Sequence, residues 1–462
     1  MKVNSQVFRA YDIRGIVQKE LSDELIEKLG QAIGTMLIRK KHNALNVCRD
    51  GRLSGPHISN LFIKGVLSTG CNVYDLGLGP TPLLYFSTFS TQIKNGVMIT
   101  GSHNPKNYNG FKIVVNRKPL SGESITEIRD LIESENFLSG KGIKEEKSLL
   151  KTYKNEVKNK INLKKNLKVV LDCGNGAGGS LAPDLFKDLD IELIELFSEV
   201  DGDFPNHHPD PGNPKNLKDL INAVTKNKAD LGIALDGDGD RLGVVDNLGN
   251  IIFPDQYMAL IADEILKENF GRKIVFDVKC STKLKESIET SGGIPIMART
   301  GHSFIKKEII KHDAVLGGEM SGHIFFNDDW YGFDDGIYSA LRLIEIIADF
   351  EESSSDIFNK FPQLVNTPEL TLATTDERKF EIIERLKNEF EFNGYEKVLI
   401  DGIRLENQVS WGLARASNTT PSLVFRFEGE SEDALLKIVE VFQKALFSID
   451  DKLEIKLSYG YF

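Results

Sequence analysis

Hydrophobic and polar positions follow two different periods along the first 150 residues. The apolar positions of DELIEKLGQAIGTMLIRK recur at helical spacing, whereas short apolar runs such as ALNVCRDG and GVMITGS are typical of buried strands. This alternation predicts βαβ units. The highly charged stretch SGKGIKEEKSLLKTYKNEVKNK then predicts a domain boundary near residue 150.

Three further segments follow. A second βα pattern begins at NLKVVLDCGNGAGG and ends at the turn DNLGN, whose Asn and Gly suit a hairpin. A third ends at the acidic EESSSD and Pro362, and the remainder reads helix, strand, strand, strand, helix, with KVLIDGIRLE as one of the strands. We therefore expect an α/β protein with three similar mixed domains (1–150, 151–250 and 251–364) and a C-terminal α+β domain (365–462).

Three of the apolar strands end in short polar loops rich in glycine. The loops are GSHNP after VMIT, DGDGDR after IAL, and GEMSGH after AVLG. Because ligands of open α/β sheets gather where loops leave the carboxyl ends of strands, these loops are the first candidates for a functional site.

Composition narrows the class of protein. A net charge of −11 without a dense basic stripe argues against a nucleic-acid partner. No apolar run approaches the length of about 20 residues that spans a bilayer, and the polar start MKVNSQVFRAYDIRG does not resemble a signal peptide. Four widely spaced cysteines suit a reducing compartment, so we expect a cytoplasmic protein.

The loop DGDGDR places Asp236, Asp238 and Asp240 at alternate positions. Three such carboxylates repel one another unless a cation lies between them, and their oxygen atoms suit magnesium or calcium. An EF-hand is excluded because its sixth and twelfth positions would be Arg241 and Asn247. A solvent-exposed acidic turn is the alternative, but the position directly after an apolar strand favours a metal site, with Arg241 beside it to hold an anion.

The loop TGSHNP places Ser102 after a strand, with His103 next to it. A serine beside a histidine is more often a capping hydroxyl than a nucleophile. A route to activation through the metal is more plausible, because DGDGDR offers only three protein ligands and Ser102 could supply a fourth. Lys112, in the next strand, could neutralise charge or transfer a proton.

Four other motifs carry polar side chains. RASNTTP (Arg415, Ser417, Asn418, Thr419) suits a phosphate cradle, although a polar hairpin turn would have the same composition. GEMSGH (Glu319, Ser321, His323) suits the hydroxyl groups of a sugar, with a capped turn as the alternative. TGHSFIK places His302 at a predicted helix start, and YDIRG places Arg14 where a surface ion pair is the default explanation.

A competing signal lies at Gly174, Gly176 and Gly179. Their G-x-G-x-x-G spacing follows a strand, and the strand IELIEL comes about 20 residues later, as in dinucleotide-binding proteins. Asp172 and Asn175 intrude into this pattern, so a tight strand-to-helix turn explains it better.

Taken in this order, YDIRG, TGSHNP, DGDGDR, TGHSFIK, GEMSGH and RASNTTP resemble the α-D-phosphohexomutase superfamily over essentially the whole chain. The resemblance is closest to the bacterial phosphomannomutase/phosphoglucomutase group, since phosphoglucosamine mutases typically carry SASHNP and GEQSGH. It implies four domains around a central active-site cleft.

The resemblance also implies roles for single residues. Ser102 would be a phosphoserine that binds Mg²⁺ together with the three aspartates. The remaining reaction-centre residues would be Arg14, His103, Lys112, Arg241, His302 and His323. Substrate would be held by Tyr11, Lys279, Glu319, Ser321, His323, Arg415, Ser417, Asn418 and Thr419.

The implied reaction interconverts hexose 1-phosphate and hexose 6-phosphate, of mannose, glucose or both, through a hexose 1,6-bisphosphate. The expected partner is a small phosphosugar, with no nucleic acid and no membrane, and the expected state is a monomer. A phosphoglucosamine mutase and a serine-dependent sugar phosphatase remain as alternatives. A non-catalytic dinucleotide-binding protein would rest on the three glycines alone.

Overall fold

The computed structural model describes residues 3–9, 12–417 and 420–457. The chain divides into two compact units. The first extends to Tyr257 and also takes in Val315–Gly317 and Ser321–Phe358. The second contains Met258–Ala314, Gly318–Met320 and the chain from Asn359 onwards.

The described residues form 22 strands, 14 α-helices and three short 3-10 helices. The strands are β1 Ile13–Ile16, β2 Ala44–Arg49, β3 Asn72–Leu78, β4 Gly96–Ile99, β5 Tyr108–Val115, β6 Lys118–Pro119, β7 Lys144–Glu146, β8 Lys168–Asp172, β9 Glu192–Leu196, β10 Leu231–Leu235, β11 Leu242–Asp246, β12 Ile251–Ile252, β13 Lys273–Asp277, β14 Ile294–Ala298, β15 Leu316–Gly318, β16 Ile324–Phe326, β17 Val365–Asn366, β18 Leu370–Ala373, β19 Glu396–Val398, β20 Ile403–Glu406, β21 Ser410–Ala416 and β22 Ser422–Gly429. The α-helices are α1 Asp23–Arg39, α2 Gly55–Leu67, α3 Thr81–Ser90, α4 Glu123–Ser134, α5 Leu150–Lys158, α6 Ala182–Lys187, α7 Lys218–Asn227, α8 Pro254–Glu268, α9 Thr282–Thr290, α10 His302–His312, α11 Gly336–Ala348, α12 Ser354–Phe358, α13 Asp376–Asn388 and α14 Glu432–Ile449. The 3-10 helices are Ser5–Val7, Ala177–Ser180 and Pro214–Leu217.

Two mixed sheets build the first unit. The larger has the order β1-β5-β4-β2-β3-β7, with β6 paired to β5. Parallel β4 and β2 lie at its centre, and antiparallel β5 places Lys112 opposite Met98. The other has the order β12-β11-β10-β8-β9, in which the turn between β11 and β12 uses Gly249 at φ +90°. In both sheets the predicted motif loops leave the carboxyl ends of buried strands.

Helix α1 shows how the sequence pattern becomes packing. Its N-cap Ser22 accepts a hydrogen bond from the backbone N–H of Leu25. Its apolar positions at helical spacing, among them Ile26, Leu29 and Ile33, are buried in the core of the first sheet. The predicted α/β architecture is confirmed by these helices packed on mixed sheets.

The second unit contains the parallel pair β13–β14 and an antiparallel sheet of order β17-β22-β21-β20-β19, with β18 also paired to β22. Helices α13 and α14 supply the apolar core of this sheet, which confirms the α+β pattern. The prediction of a single strand at KVLIDGIRLE is wrong. This segment forms two antiparallel strands, β19 and β20, because Gly402 adopts φ +78° and reverses the chain between them.

Candidate active site

Ser102 lies in the loop that follows β4. Its side chain is buried, and its backbone has φ +48°, an uncommon value for a residue other than glycine. The Ser102 N–H donates to Oγ1 of Thr100 at 2.7 Å, which stabilises this conformation. Such strained backbone is costly and is found often at functional sites.

Arg52 holds the Ser102 loop from behind. Its fully buried guanidinium donates hydrogen bonds to four backbone carbonyls of the loop, those of Ser102, Asn104, Pro105 and Tyr108. Asp50 lies beside this guanidinium and also accepts from the N–H of Gly101. A Cβ atom at Gly101 would lie 2.3 Å from Cζ of Arg52, so the loop can close around the arginine only with glycine there.

The acidic loop connects β10 to β11. Asp236, Asp238 and Asp240 are all buried, and one carboxylate oxygen of each lies within 4.8 Å of the others. Oδ1 of Asp236 accepts the N–H groups of Asp240 and Arg241, which closes the loop on itself. Burial and the two neighbouring carboxylates raise the pKa of Asp236 well above its ordinary value.

The serine and acidic loops meet. The Ser102 hydroxyl donates to Oδ2 of Asp236 at 3.1 Å, although the two residues are 134 positions apart. A Cβ at Gly237 would lie 2.5 Å from the carbonyl oxygen of Ser102, so glycine permits this approach. The structure therefore brings the candidate nucleophile and the candidate metal ligands into one cluster.

Lys112 supplies the positive charge of the cluster. Its Nζ donates to Asp238 Oδ2 at 2.7 Å and to Asp240 Oδ2 at 2.5 Å. Burial opposes its charge, but Asp238 and Asp240 outweigh burial and raise the pKa of Lys112. Burial likewise opposes ionisation of Asp238, yet Lys112 holds the pKa of that carboxyl below its ordinary value. Lys112 therefore stays protonated and Asp238 stays ionised at neutral pH.

The residues present fit a divalent cation. Asp238 Oδ1 and Asp240 Oδ1 are buried without a hydrogen-bond partner in the part of the chain that the structure describes. Thr81, at the start of α3, donates to Asp238 Oδ2 at 2.6 Å and fixes its orientation. Carboxylate oxygens held in a fixed orientation are the donor set that Mg²⁺ prefers.

His103 and Arg14 lie on the Ser102 side of this cluster. The His103 Nδ1 is 3.1 Å from the Ser102 Oγ. Burial, followed by the charges of Arg241 and Arg14, lowers the pKa of His103 well below its ordinary value, so its imidazole is neutral. Arg14 donates to Asp12 Oδ2 at 2.5 Å and to Asn104 Oδ1, which tethers it to the serine loop.

His323 lies on the Arg241 side. Arg241 Nε donates to His323 Nε2 at 3.0 Å. The other ring nitrogen, Nδ1, faces two carboxylates, Asp334 Oδ2 at 3.3 Å and Asp240 Oδ1 at 3.5 Å. Because a guanidinium only donates, the ring hydrogen lies on Nδ1.

The second unit holds other predicted residues. Lys279 is paired with Glu369 (Nζ to Oε2, 3.1 Å), and Glu319 accepts the N–H of Gly301 at 2.6 Å, next to His302 at the start of α10. Arg415 Nε donates to Asp401 at 2.9 Å. Burial opposes the charge of Lys279, but Glu369 raises its pKa overall, and Lys279 in turn lowers the pKa of Glu369.

Three predicted residues, Tyr11, Asn418 and Thr419, lie outside the described residues. Of the GEMSGH motif, Ser321 and His323 belong to the first unit and Glu319 to the second.

The glycines at 174–179 form a tight turn into a 3-10 helix, with Gly174 at φ +52°. This is the strand-to-helix turn that the sequence favoured over a dinucleotide-binding fingerprint.

Several side chains of the site carry no clear signal in the sequence. Thr81, Asp334 and Arg52 lie in segments without a distinctive motif, TPLLYF, FDDG and CRDGRLSG. Arg52 follows a predicted strand and lies two residues after Asp50, and this pattern alone could have marked it as a candidate for a buried ion pair.

No helix in the described part of the chain is long and apolar enough to cross a membrane.

Comparison with known families gives matches to four models in chain order. They are phosphoglucomutase/phosphomannomutase domain I at residues 5–139, domain II at 149–249, domain III at 253–365 and the C-terminal domain at 369–445. The chain belongs to the phosphoglucomutase/phosphomannomutase family.

Individual relatives cover nearly the full length. A phosphomannomutase/phosphoglucomutase of Pseudomonas syringae is 48% identical over 97% of both chains, and a phosphoglucomutase of Neisseria meningitidis is 44% identical over 96% of this chain and 97% of its own. A solved family protein of Burkholderia thailandensis has a TM-score of 0.94 at 41% identity, covering 98% of this chain and 100% of its own. The prediction of a phosphohexomutase enzyme is confirmed.

Proposed function

We propose that this enzyme interconverts hexose 1-phosphate and hexose 6-phosphate, of glucose, mannose or both, with Ser102 as a reversible phosphoryl carrier. The observation that carries the proposal is the 3.1 Å contact between the Ser102 hydroxyl and Asp236 at the head of the acidic loop. The names of the Pseudomonas and Neisseria relatives support both sugars as candidates.

Asp236, Asp238 and Asp240, with an oxygen of the Ser102 side chain or its phosphoryl group, would hold Mg²⁺. When bound, the ion withdraws charge from the phosphoryl group that is transferred. Its support is that Asp238 Oδ1 and Asp240 Oδ1 are buried and accept no hydrogen bond from any residue that the structure describes.

The chain's own residues then divide the remaining work. The phosphorus–oxygen bond at Ser102 breaks and leaves its electron pair on the serine oxygen, while a sugar hydroxyl oxygen forms a new bond to phosphorus. The proton of that hydroxyl needs an acceptor, and the charge on the serine oxygen needs a balancing cation. Lys112 remains protonated between two carboxylates, so it balances charge and does not accept the proton. His323 Nε2 is the better acceptor because it carries a lone pair, and Arg241, which now donates to it, would turn to the phosphoryl oxygens with Arg14.

The hexose 1,6-bisphosphate formed in this step must present its other phosphate to Ser102, which recovers a phosphoryl group and releases the isomer. A site for the phosphate that is not reacting is therefore required. We assign this site to Arg415, Ser417, Asn418 and Thr419, and sugar recognition to Tyr11, Lys279, Glu319 and Ser321, with His302 near the reacting groups. The buried Nη2 of Arg415, without a partner among the described residues, supports the phosphate site.

We further propose a cytoplasmic monomer that acts on small phosphosugars, not on nucleic acid. The proposed domains 1–150, 151–250, 251–364 and 365–462 are supported by the four family-model matches.

The decisive test is a coupled assay. With Mg²⁺ and glucose 1,6-bisphosphate present, we expect glucose 6-phosphate to form from glucose 1-phosphate, with mannose 1-phosphate and glucosamine 1-phosphate compared in parallel. A preference for glucosamine 1-phosphate would favour the phosphoglucosamine mutase alternative. Release of free phosphate without isomerisation would favour a phosphatase and overturn the proposal.

A further inference from the structure

The turn at Thr300 and Gly301 directly precedes α10 and donates hydrogen bonds to three carboxylates of the second unit. The Thr300 N–H donates to Asp401 Oδ2 at 3.2 Å, and its hydroxyl donates to Asp277 Oδ2 at 2.9 Å. The Gly301 N–H donates to Glu319 Oε1 at 2.6 Å. Three consecutive donors thus meet acceptors from three different elements of the chain.

Asp401 has a second partner. The same Oδ2 atom accepts from Arg415 Nε at 2.9 Å, and both residues are at least nine-tenths buried, with exposures of 8% and 5%. Arg415 Nη2 is buried and has no partner in residues 3–9, 12–417 and 420–457. A guanidinium anchored through Nε keeps its Nη edge available for an anion.

The backbone makes this placement specific. Asp401 lies two residues before the start of β20, and the register of β20 on β21 pairs Ile403 with Ala414, so Asp401 comes beside Arg415. Gly402 at φ +78° turns the chain there, and a Cβ atom on it would lie 2.3 Å from the carbonyl oxygen of Ala414. No residue with a side chain fits this turn without a shift of the strand.

We infer that Asp401 is a positioning residue that couples phosphate recognition to sugar recognition. It joins Arg415 to the Thr300–Gly301 turn, whose next donor is bound by Glu319. Substrate held at Arg415 therefore meets a Glu319 whose orientation is already set. The inference rests on the proposed function, in which Arg415 contacts the phosphate that is not reacting and Glu319 contacts the sugar.

The chemistry of the residue follows from this arrangement. A carboxylate can accept two donors at one oxygen while balancing the guanidinium charge, whereas the amide of asparagine offers one acceptor oxygen and no negative charge. Asp401→Asn therefore preserves the shape and weakens the link, and Asp401→Ala removes it. Asp263→Asn is the matched control, because that aspartate is exposed and accepts a hydrogen bond from the hydroxyl of Ser291, the C-cap residue of α9.

The experiment measures KM, kcat and the calorimetric Kd of glucose 6-phosphate for each variant of the full chain. We expect Asp401→Ala to raise KM and Kd about tenfold, and Asp401→Asn about threefold, as for loss or weakening of a charged hydrogen bond. Turnover should stay within about twofold, because the phosphoryl transfer at Ser102 is untouched. The control should match the wild type in every value, and unchanged KM and Kd in Asp401→Ala would overturn the inference.

A double-mutant cycle with Arg415→Lys separates positioning from general destabilisation. Because Asp401 acts through Arg415 as well as through the Thr300–Gly301 turn, Asp401→Ala should change Kd clearly less in the Arg415→Lys background than in the wild type, and the remaining change is the part transmitted through the turn. Multiplying effects would overturn the inference, as would a Kd that tracks only the melting temperature. A wild type that binds sugar phosphate but does not isomerise it refutes the proposed function alone, and the calorimetry still tests Asp401. A wild type that does not bind glucose 6-phosphate overturns both the proposed function and the inference about Asp401.

Discussion

Arg241 Nε donates to His323 Nε2 over 3.0 Å, and this bond assigns the imidazole hydrogen to Nδ1. On its other side, Nδ1 faces the buried carboxylates of Asp334 and Asp240. Nε2 therefore carries the lone pair and faces Arg241. In the proposed reaction, Nε2 is the atom that would receive a proton.

The first prediction concerns this tautomer. In metal-free enzyme labelled with ¹⁵N-histidine, we expect His323 at pH 8 to show a protonated Nδ1 and an unprotonated Nε2. Its signals are assigned by their loss in His323→Gln. Arg241→Ala should release the restraint and admit the other tautomer, and a protonated Nε2 in the wild type would contradict the structure.

The second prediction concerns the nucleophile. Ser102→Ala should lower mutase turnover by at least about 10³-fold, because it removes the hydroxyl that contacts Asp236 and would carry the phosphoryl group. The melting temperature should change little, since the described contacts of the Ser102 hydroxyl are with two residues of the site, His103 and Asp236. Ser134→Ala, which loses a surface hydrogen bond to the Asp130 carbonyl, is the control and should keep full activity. Substantial turnover in Ser102→Ala would refute the assignment.

The third prediction concerns the charge of Lys112. Lys112→Met leaves Asp238 and Asp240 without their internal cation, and removing one partner of a buried ion pair costs about 3–5 kcal/mol. We expect a lower melting temperature without metal and a larger rise on adding Mg²⁺ than in the wild type.

Lys64→Met is the control for that measurement, because Lys64 pairs with Glu27 at the surface. Equal Mg²⁺ responses of Lys112→Met and the wild type would show that the ion does not bind at these carboxylates.

The fourth prediction concerns pH. Burial outweighs the hydrogen bonds from Tyr338, Tyr153 and Trp330 and raises the pKa of Asp335 to about 7. The folded-state pKa is above the unfolded one, so the stability it contributes is complete below the unfolded pKa, about 4, and is lost as pH rises through about 7.

Asp335→Asn does not titrate, so the melting temperature of the wild type relative to this variant should fall between pH 5 and pH 8. Asp349→Asn, which alters an aspartate at the other end of α11, is the control. A difference between wild type and Asp335→Asn that stays constant over this range would contradict the assignment.

The fifth prediction concerns Gly402. Gly402→Ala adds both a strained φ and a clash with the Ala414 carbonyl, whereas Gly394→Ala, at φ +86°, meets no atom within 4 Å. We expect Gly394→Ala to cost about 1 kcal/mol of unfolding free energy, from backbone strain alone, and Gly402→Ala clearly more. Denaturation of the two variants checks this, and equal losses would contradict the clash.

The sequence pattern determines most of the fold but not every boundary between strands. The alternation of helix and strand patterns was sufficient for the α/β architecture, because each period reports one buried face. It missed the break between β19 and β20, since IDG reads as a continuation of an apolar strand until Gly402 is known to have a positive φ.

Ser102, the three aspartates and Lys112 were each candidates from the residues alone, as were their loops. What the sequence could not provide is the pairing between distant residues. Arg52 and Thr81 hold the site through hydrogen bonds to partners 50 or more positions away, and no local pattern records such bonds.

By itself, then, the sequence determined the chemistry on offer, a serine and three carboxylates placed at the carboxyl ends of buried strands. Only the tertiary structure decided which atoms meet. It brings the Ser102 hydroxyl to Asp236, closes Lys112 onto Asp238 and Asp240, and sets the hydrogen of His323 on Nδ1. The physical reason is that local propensities depend on neighbours in the chain, whereas protonation and pairing depend on charges brought close in space after the sheets have formed.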